Sequence, residues 1–412
     1  MRFLYSVVIH IYNFMVVAVS VFNSKATMMI LGRKRALDDI IKVFNPGDRI
    51  FWFHCASLGE FEQGRPVIEK IREKDSSVRI LLSFYSPSGY EVRKNYAGAD
   101  CVVYLPLDTR RNAKRLIEKL NPEKAIFVKY EFWYNYLAEL QGRNIPVYLI
   151  SGIFRKGQPF FRWYGRYFRK ILKGFTHLYI QDEGSASLLK EYDINNYSIS
   201  GDTRFDRVMD ISRRSTGVAA VEQYSRGGMV IIAGSSWQPE EEMIAKYARE
   251  SGRETRWIIA PHNTNKANIE RIEKLFSGIS ARYTELAGEI PDNTRVLIID
   301  TIGILSSLYR YARIAVIGGG FGRGIRNVLE AATWGIPVLF GPHHEKFKEA
   351  TDLLSLGGAR SFSDYKEFRA TLNKFVDNPA GLEKAGAISR EYINSNLGAT
   401  DLICSELLTK NC

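Results

Sequence analysis

The chain predicts an α/β fold of two successive doubly wound domains, and three observations carry that prediction. Short apolar runs rich in β-branched and aromatic residues alternate with amphipathic helical stretches. The alternation lapses once near the middle and then restarts. The 412 residues suffice for two domains of about 180 residues each.

The N-terminus departs from this pattern. From Phe3 to Phe22 the chain reads FLYSVVIHIYNFMVVAVSVF, twenty residues without Asp, Glu, Lys or Arg. That is about the thickness of a bilayer core when helical. His10 and Asn13 interrupt it, and no A-x-A cleavage site follows. Arg33, Lys34 and Arg35 lie just beyond and favour the cytoplasmic side. Residues 1–24 are therefore expected to be a membrane anchor, either spanning or lying in one leaflet, with a buried core helix as the alternative.

In the first domain, residues 25–208, the strand candidates are Arg49–Ala56, Val78–Ser83, Cys101–Leu105, Ala125–Val128, Val147–Ile150, Leu178–Gln181 and Tyr197–Ser200. Helical patterns such as Gly64–Lys74 and Arg111–Leu120 lie between them, as a parallel sheet covered on both faces requires. Residues 209–228 turn polar, small and basic and read as a linker. The second domain, residues 229–412, resumes with Met229–Ala233, Arg256–Ala260, Arg295–Ile299, Ile314–Ile317 and Pro337–Phe340. Two such domains predict a cleft between them, with ligands beyond the carboxyl ends of the strands.

Charge and cysteine usage narrow the class. Fifty-seven Lys+Arg against 45 Asp+Glu leave +12, which points to an anionic partner: nucleic acid, an anionic membrane surface or a phosphorylated substrate. Cys55, Cys101, Cys404 and Cys412 are scattered without a C-x-x-C pair, which excludes a disulfide framework and a thiolate zinc site.

Three segments carry candidate chemistry. HCASLGEFEQGRP, His54 to Pro66, ends a strand and turns into a helix at Glu60. That carboxylate either caps the helix or serves as a general base for a hydroxyl. The second segment runs from Gly318 to Ala332, GGGFGRGIRNVLEAA. Dense glycines let amides approach a phosphate at a helix start, with Arg323 and Arg326 as added cations; a tight packing turn is the alternative. Glu330 lies three residues after Asn327, placed to hold a ribose diol or simply to face solvent. His343 and His344 are adjacent and lack an H-x-x-x-H partner, so no metal site is expected. The third, Ile153–Lys173, is crowded with aromatics and cations and holds no acid. Arg162, Arg166, Arg169 and Lys173 recur at helical spacing, suiting an anionic membrane interface more than single-stranded nucleic acid.

Together these features resemble the Kdo (3-deoxy-D-manno-octulosonic acid) transferases of lipopolysaccharide inner-core biosynthesis. The landmarks are CASLGEFEQGRP (55–66), YEFWYN (130–135), GDTRFD (201–206), AGSSWQPEEE (233–242), DTIGILSSLY (300–309) and GGGFGRGIRNVLEAATWGIPVLFGPHHEKF (318–347). The resemblance implies a GT-B glycosyltransferase that inverts the anomeric centre without a metal or other cofactor. Its donor would be CMP-Kdo and its acceptor a phosphorylated lipid A precursor (lipid IVA), at the cytoplasmic face of the inner membrane; no nucleic acid is expected as a partner. Glu60 matches the family's catalytic base. Ser57, Gly59, Glu131, Arg155 and Arg162 are assigned to the acceptor. Ser235, Pro261, His262, Gly303, Gly320, Phe321, Gly322, Arg323, Arg326, Asn327 and Glu330 are assigned to the donor. The chain departs from the commonest family pattern at Trp237, where a histidine is frequent; at Pro261-His262-Asn263, where P-R-H is frequent; and at Arg326, where a histidine is frequent. The alternatives are another GT-B enzyme that moves a sugar from a UDP donor to a lipid, and a non-catalytic lipid- or nucleic-acid-binding protein.

Overall fold

The computed structural model describes residues 2–286 and 290–409. Cys412 lies outside the described residues. The chain forms two compact units: residues 1–207 with 397–412, and residues 208–396.

The first unit is built on seven parallel strands: β1 (Ile50–Cys55), β2 (Arg79–Phe84), β3 (Cys101–Tyr104), β4 (Lys124–Val128), β5 (Val147–Gly152), β6 (His177–Ile180) and β7 (Tyr197–Ile199), in the order β3-β2-β1-β4-β5-β6-β7. All six residues of β1 are buried, because a parallel strand is covered on both faces. Trp52 points into one core with Leu81, Phe127 and Leu149, and Phe51 and Phe53 into the other with Ile80, Leu82 and Ile126.

The second unit repeats the plan with β8 (Met229–Ser236), β9 (Thr255–Pro261), β10 (Ser280–Arg282), β11 (Val296–Ile298), β12 (Ile314–Ile317), β13 (Val338–Phe340) and β14 (Ala359–Ser361). Their order is β10-β11-β9-β8-β12-β13-β14, again all parallel. Connectivity reverses direction between β1 and β4 in one sheet and between β8 and β12 in the other. In open α/β sheets ligands bind outside the strand ends at such switch points.

Helices α1 (Arg2–Ser20) and α2 (Ser24–Val43) precede the first strand, and Asn23 caps α2 by accepting from the amides of Lys25 and Ala26. Among the described residues no helix is long and apolar enough to cross a membrane, so the spanning form of the expected anchor is corrected. The physical reason is that α1 has a protein-facing side. Tyr5 donates to Asp108 Oδ2 at 2.6 Å, Ile9 is buried, and Tyr12 lies 6.4 Å from the Tyr85 ring. The opposite side leaves Val8, Ile11, Phe14 and Met15 exposed, and Phe22 beyond it is 93% exposed.

The sequence reading carried the second domain to residue 412, but the last helix, Ala399–Leu408, belongs to the first unit. Ile403, Cys404 and Leu407 join the core under β1 and helix α3 (Leu58–Lys74). Asp206, within the GDTRFD landmark, accepts from the amides of Gly398 and Thr400 at 2.8 and 2.7 Å and so caps that helix. The expected linker is also not structureless, since Thr203–Arg214 and Ala219–Ser225 are helical. Cys55, Cys101 and Cys404 are free and buried.

Candidate active site

Ser57, Gly59, Glu60 and Glu131 lie at the switch point of the first unit, beyond the ends of β1 and β4. β1 ends at Cys55, and Ser57 stands before α3 in extended conformation without a side-chain bond to the helix backbone. Its hydroxyl instead donates to the Glu60 carboxylate, one turn on. Glu60 is thus held by a side chain and is not spent on capping. Gly59 beside it is exposed.

Across the switch point, β4 ends at Val128, and Lys129 after it adopts a left-handed φ of 68°. Such a backbone on a non-glycine residue stores strain and recurs at functional turns. It leads into Tyr130 and Glu131, whose carboxylate Oε2 accepts from Trp133 Nε1 at 2.7 Å and lies 3.1 Å from His54 Nε2. On its other side, His54 Nδ1 is 2.9 Å from the Ser83 hydroxyl, which also accepts from Trp52 Nε1. The His54 side chain is fully buried and the Glu131 side chain 12% exposed. A relay from the sheet interior therefore fixes one carboxylate at the rim. Trp133 stacks on Tyr85 with centroids 4.7 Å apart, and Arg33 of α2 lies over the other partner of that stack, 4.6 Å from the Tyr85 ring. Sequence reasoning missed His54 and Trp133, because a histidine inside an apolar strand carries no visible signal.

Arg155 and Arg162 lie on the loop after β5 and are exposed. Burial pushes the Tyr130 phenol up, while the Arg155 charge opposes and those of Asp182 and Glu60 reinforce the shift. Arg155, Tyr130 and Glu60 are thus within electrostatic reach of one another. The basic segment is less helical than its spacing predicts. Only Arg166–Lys173 is α-helical, preceded by a 3-10 turn at Pro159–Phe161. Arg169 turns inward to the Phe160 carbonyl at 2.8 Å, leaving Trp163 92% exposed.

In the second unit β8 bulges at its end, and Ser235 takes a left-handed φ of 51°. The glycine run packs onto this bulge. A Cβ on Gly318 would come within 2.2 Å of the Ser235 carbonyl, and one on Gly320 within 2.6 Å of Gly341 Cα. Close backbone packing therefore demands both glycines. The amides are largely spent inside the protein. Gly319 donates to the buried Glu240 at 2.9 Å, Gly322 and Gly324 to the Gly319 carbonyl, Ile325 to His343 and Arg326 to Gly318. The expected open cradle of amides at a helix start is corrected accordingly. The helix that follows is only Leu329–Ala332, and Phe321, Gly322 and Arg323 form the outer turn, with Gly322 and Arg323 exposed.

Asn327 and Glu330 do meet. Asn327 Nδ2 donates to Glu330 Oε1 at 3.0 Å, while Ser306 donates to Oε2 at 2.5 Å. Gly303 lies on the same rim after β11, at a φ of 98°. Pro261 closes β9, and His262 follows it with its amide on the Ser236 carbonyl at 2.9 Å. The three departures from the family pattern touch one another. Trp237 stacks on His262 at 4.7 Å, Arg326 reaches His262 Nε2 at 3.1 Å, and its guanidinium lies 5.7 Å from the Trp237 ring. Among the described residues no cluster of three His, Cys, Asp or Glu side chains is placed to hold a metal ion.

Residues 31–207 match the family described as 3-deoxy-D-manno-octulosonic-acid transferase (kdotransferase). The chain is 27% identical over 334 residues to the 3-deoxy-D-manno-octulosonic acid transferase of Aquifex aeolicus, covering 78% of this chain and 86% of that protein. It is 24% identical over 365 residues to the enzyme of the same description from Bordetella pertussis, covering 85% and 84%. Over most of its length the chain is thus similar to Kdo transferases, and the family's own model matches the first unit. That family is one of glycosyltransferases, so the two switch-point clusters belong to a sugar-transferring protein. Solved structures give the fold independently. UDP-GlcNAc 2-epimerase from Neisseria meningitidis bound to UDP-GlcNAc superposes with a TM-score of 0.62 at 15% identity, covering 88% of this chain and all of that one. Acinetobacter baumannii MurG superposes with a TM-score of 0.54 at 12% identity, covering 87% and 98%. These likenesses describe a GT-B-like pair of α/β units.

Proposed function

We propose that this protein moves Kdo from CMP-Kdo to a sugar hydroxyl of a phosphorylated lipid A precursor, with inversion at C2 of Kdo. The observation that carries the reading is the pair of carboxylates at the first switch point, Glu60 held by Ser57 and Glu131 held by His54 and Trp133. Glu60 takes the proton from the acceptor hydroxyl as its oxygen attacks C2. Glu131, fixed by its relay, orients the acceptor sugar, with Arg155 and Arg162 available for its phosphate.

CMP leaves as the C2–O bond to its phosphate breaks. With most loop amides engaged internally, Arg323 and Arg326 meet the developing phosphate charge. The Asn327–Glu330–Ser306 set supplies a polar site for the ribose, and Ser235, Pro261, Gly303 and Gly320 line the rim that receives the nucleotide. The protein works at the cytoplasmic face of the inner membrane, held in one leaflet by the exposed side of α1 and by Trp163 and Tyr164.

The test is mass spectrometry of the lipid after incubation of the full chain with CMP-Kdo and tetraacylated, bisphosphorylated lipid A precursor. An increase by whole Kdo units is expected. No increase with CMP-Kdo, but one with a UDP-sugar, would overturn the donor assignment.

A further inference from the structure

The first unit contains an aromatic pocket of about 280 Å³ whose walls include Tyr5 of α1, Phe132, Tyr134, Phe160, Phe168 and Ile171. Tyr130 and Gln158 line it as well. The pocket is bound to the site by the chain itself: Tyr130 and Phe132, both lining it, flank Glu131. The Glu60 charge also acts on the Tyr130 phenol.

Two further features say what would fill it. The segment that supplies Phe160, Phe168 and Ile171 also carries Arg155, Lys156, Arg162, Arg166, Lys170 and Lys173, all exposed. None of these six makes an ion pair with a carboxylate among the described residues. An apolar cavity walled by a segment that also exposes six cations without carboxylate partners matches an amphiphile with an anionic head and a hydrocarbon tail. Tyr5, moreover, comes from the same helix whose other side exposes Val8, Ile11 and Phe14. A tail entering from a lipid surface would meet α1 first.

We propose that this pocket receives one acyl chain of the lipid acceptor and thereby sets the acceptor sugar against Glu60 and Glu131. The inference rests on the acceptor reading given above, and it assigns a part of the acceptor that no residue has yet been given. Sugar and phosphate contacts alone leave a membrane lipid free to rotate about its headgroup. An engaged chain removes that freedom and orients the hydroxyl.

A lipid A precursor carrying a diazirine on one acyl chain tests this directly, using the full chain and no donor. Photolysis should place adducts on the peptides holding Phe160–Ile171 and Tyr134, and unlabelled precursor should compete them away. A phospholipid carrying the same diazirine should label only the exposed side of α1. Pocket labelling by the phospholipid to the same extent, without competition, would overturn the proposal, as would absence of adducts in the pocket. Ile171→Trp, which fills the cavity, should raise KM for the acylated acceptor about tenfold and leave KM for CMP-Kdo unchanged. If Ile171→Trp disturbs folding, Phe168→Gln at a half-exposed wall position serves the same reading. Because labelling needs no sugar donor, competed pocket adducts without Kdo transfer would sink the donor reading and leave the acyl site standing. Kdo transfer without pocket adducts would do the reverse.

Discussion

Arg326 reaches Nε2 of His262 across 3.1 Å, joining two positions where the chain departs from the family pattern. A guanidinium only donates, so Nε2 accepts and the imidazole is neutral on that side. Burial first, and then the Arg326 charge, hold the His262 pKa below its ordinary 6.5. With a depressed folded pKa, the unfolded chain takes up this proton first as pH falls. The contribution of His262 to stability is therefore complete above about 6.5 and is lost as pH drops through the folded pKa.

Replacing Arg326 by Ala removes one of the two causes of that depression. The His262 ring should titrate at higher pH in Arg326→Ala than in the parent, as followed by NMR of the ring protons. The variant should also raise KM for CMP-Kdo by about tenfold, the loss of one charge-assisted contact. An unshifted titration would show that Arg326 does not govern the ring.

Glu60→Gln keeps the shape and removes the proton acceptor. Its kcat should fall by about 10²–10⁴-fold, with donor KM and melting temperature nearly unchanged. Turnover near the parent rate in the lipid mass assay would remove Glu60 from the mechanism.

The relay behind Glu131 separates positioning from stability. Trp133→Phe retains a ring against Tyr85 but deletes the donor to Glu131, so it should cost about 1 kcal/mol and lower kcat several-fold. His54→Ala leaves Ser83 and Glu131 facing a buried vacancy and should cost about 1–3 kcal/mol. Denaturant melts read the stability of each, and steady-state rates read the positioning. A Trp133→Phe protein with parental kcat would reduce that bond to a structural one.

Two glycines at candidate positions should behave oppositely. Gly320→Ala drives a Cβ to 2.6 Å from Gly341 backbone, which neither chain segment can vacate, so about 2 kcal/mol or more of stability and most donor binding should go. A Cβ on Gly59 meets only the Ser57 hydroxyl at 3.8 Å, and Gly59→Ala should melt within about 0.5 kcal/mol of the parent. Calorimetry on both variants decides the contrast.

Phe14→Asp combined with Phe22→Asp should reduce co-sedimentation with anionic liposomes severalfold without changing the circular dichroism spectrum. Unchanged co-sedimentation would move the membrane contact away from α1.

How much of this was legible depended on how each signal is written in the chain. Buried parallel strands such as IFWFHC are unbroken apolar runs, which makes most of the strands among the described residues readable. β10 and β14 escaped because each is a three-residue strand containing an arginine, too short to form a pattern. The destination of the last helix was illegible, since its apolar side names no partner; Asp206, 192 residues earlier than Gly398, decides it. At the site, Glu60 stood out at a strand–helix turn, whereas His54 looked like one more core residue. Glycine density pointed to the right loop but not to its physics. Only coordinates reveal that Glu240 already occupies the Gly319 amide.

The return of the last helix has a consequence for how the protein is made. Lys124 on β4 hands its ammonium to the carbonyls of Leu407 and Thr409, and Tyr179 on β6 donates to Glu406 at 2.6 Å. The first unit thus waits for residues made only after the whole second unit. Until they emerge, Phe51, Phe53 and Val67 lack part of their cover, and the nascent chain carries an open apolar surface through the synthesis of the entire second unit. The second unit, continuous from residue 208 to 396, is free to close before the first is finished.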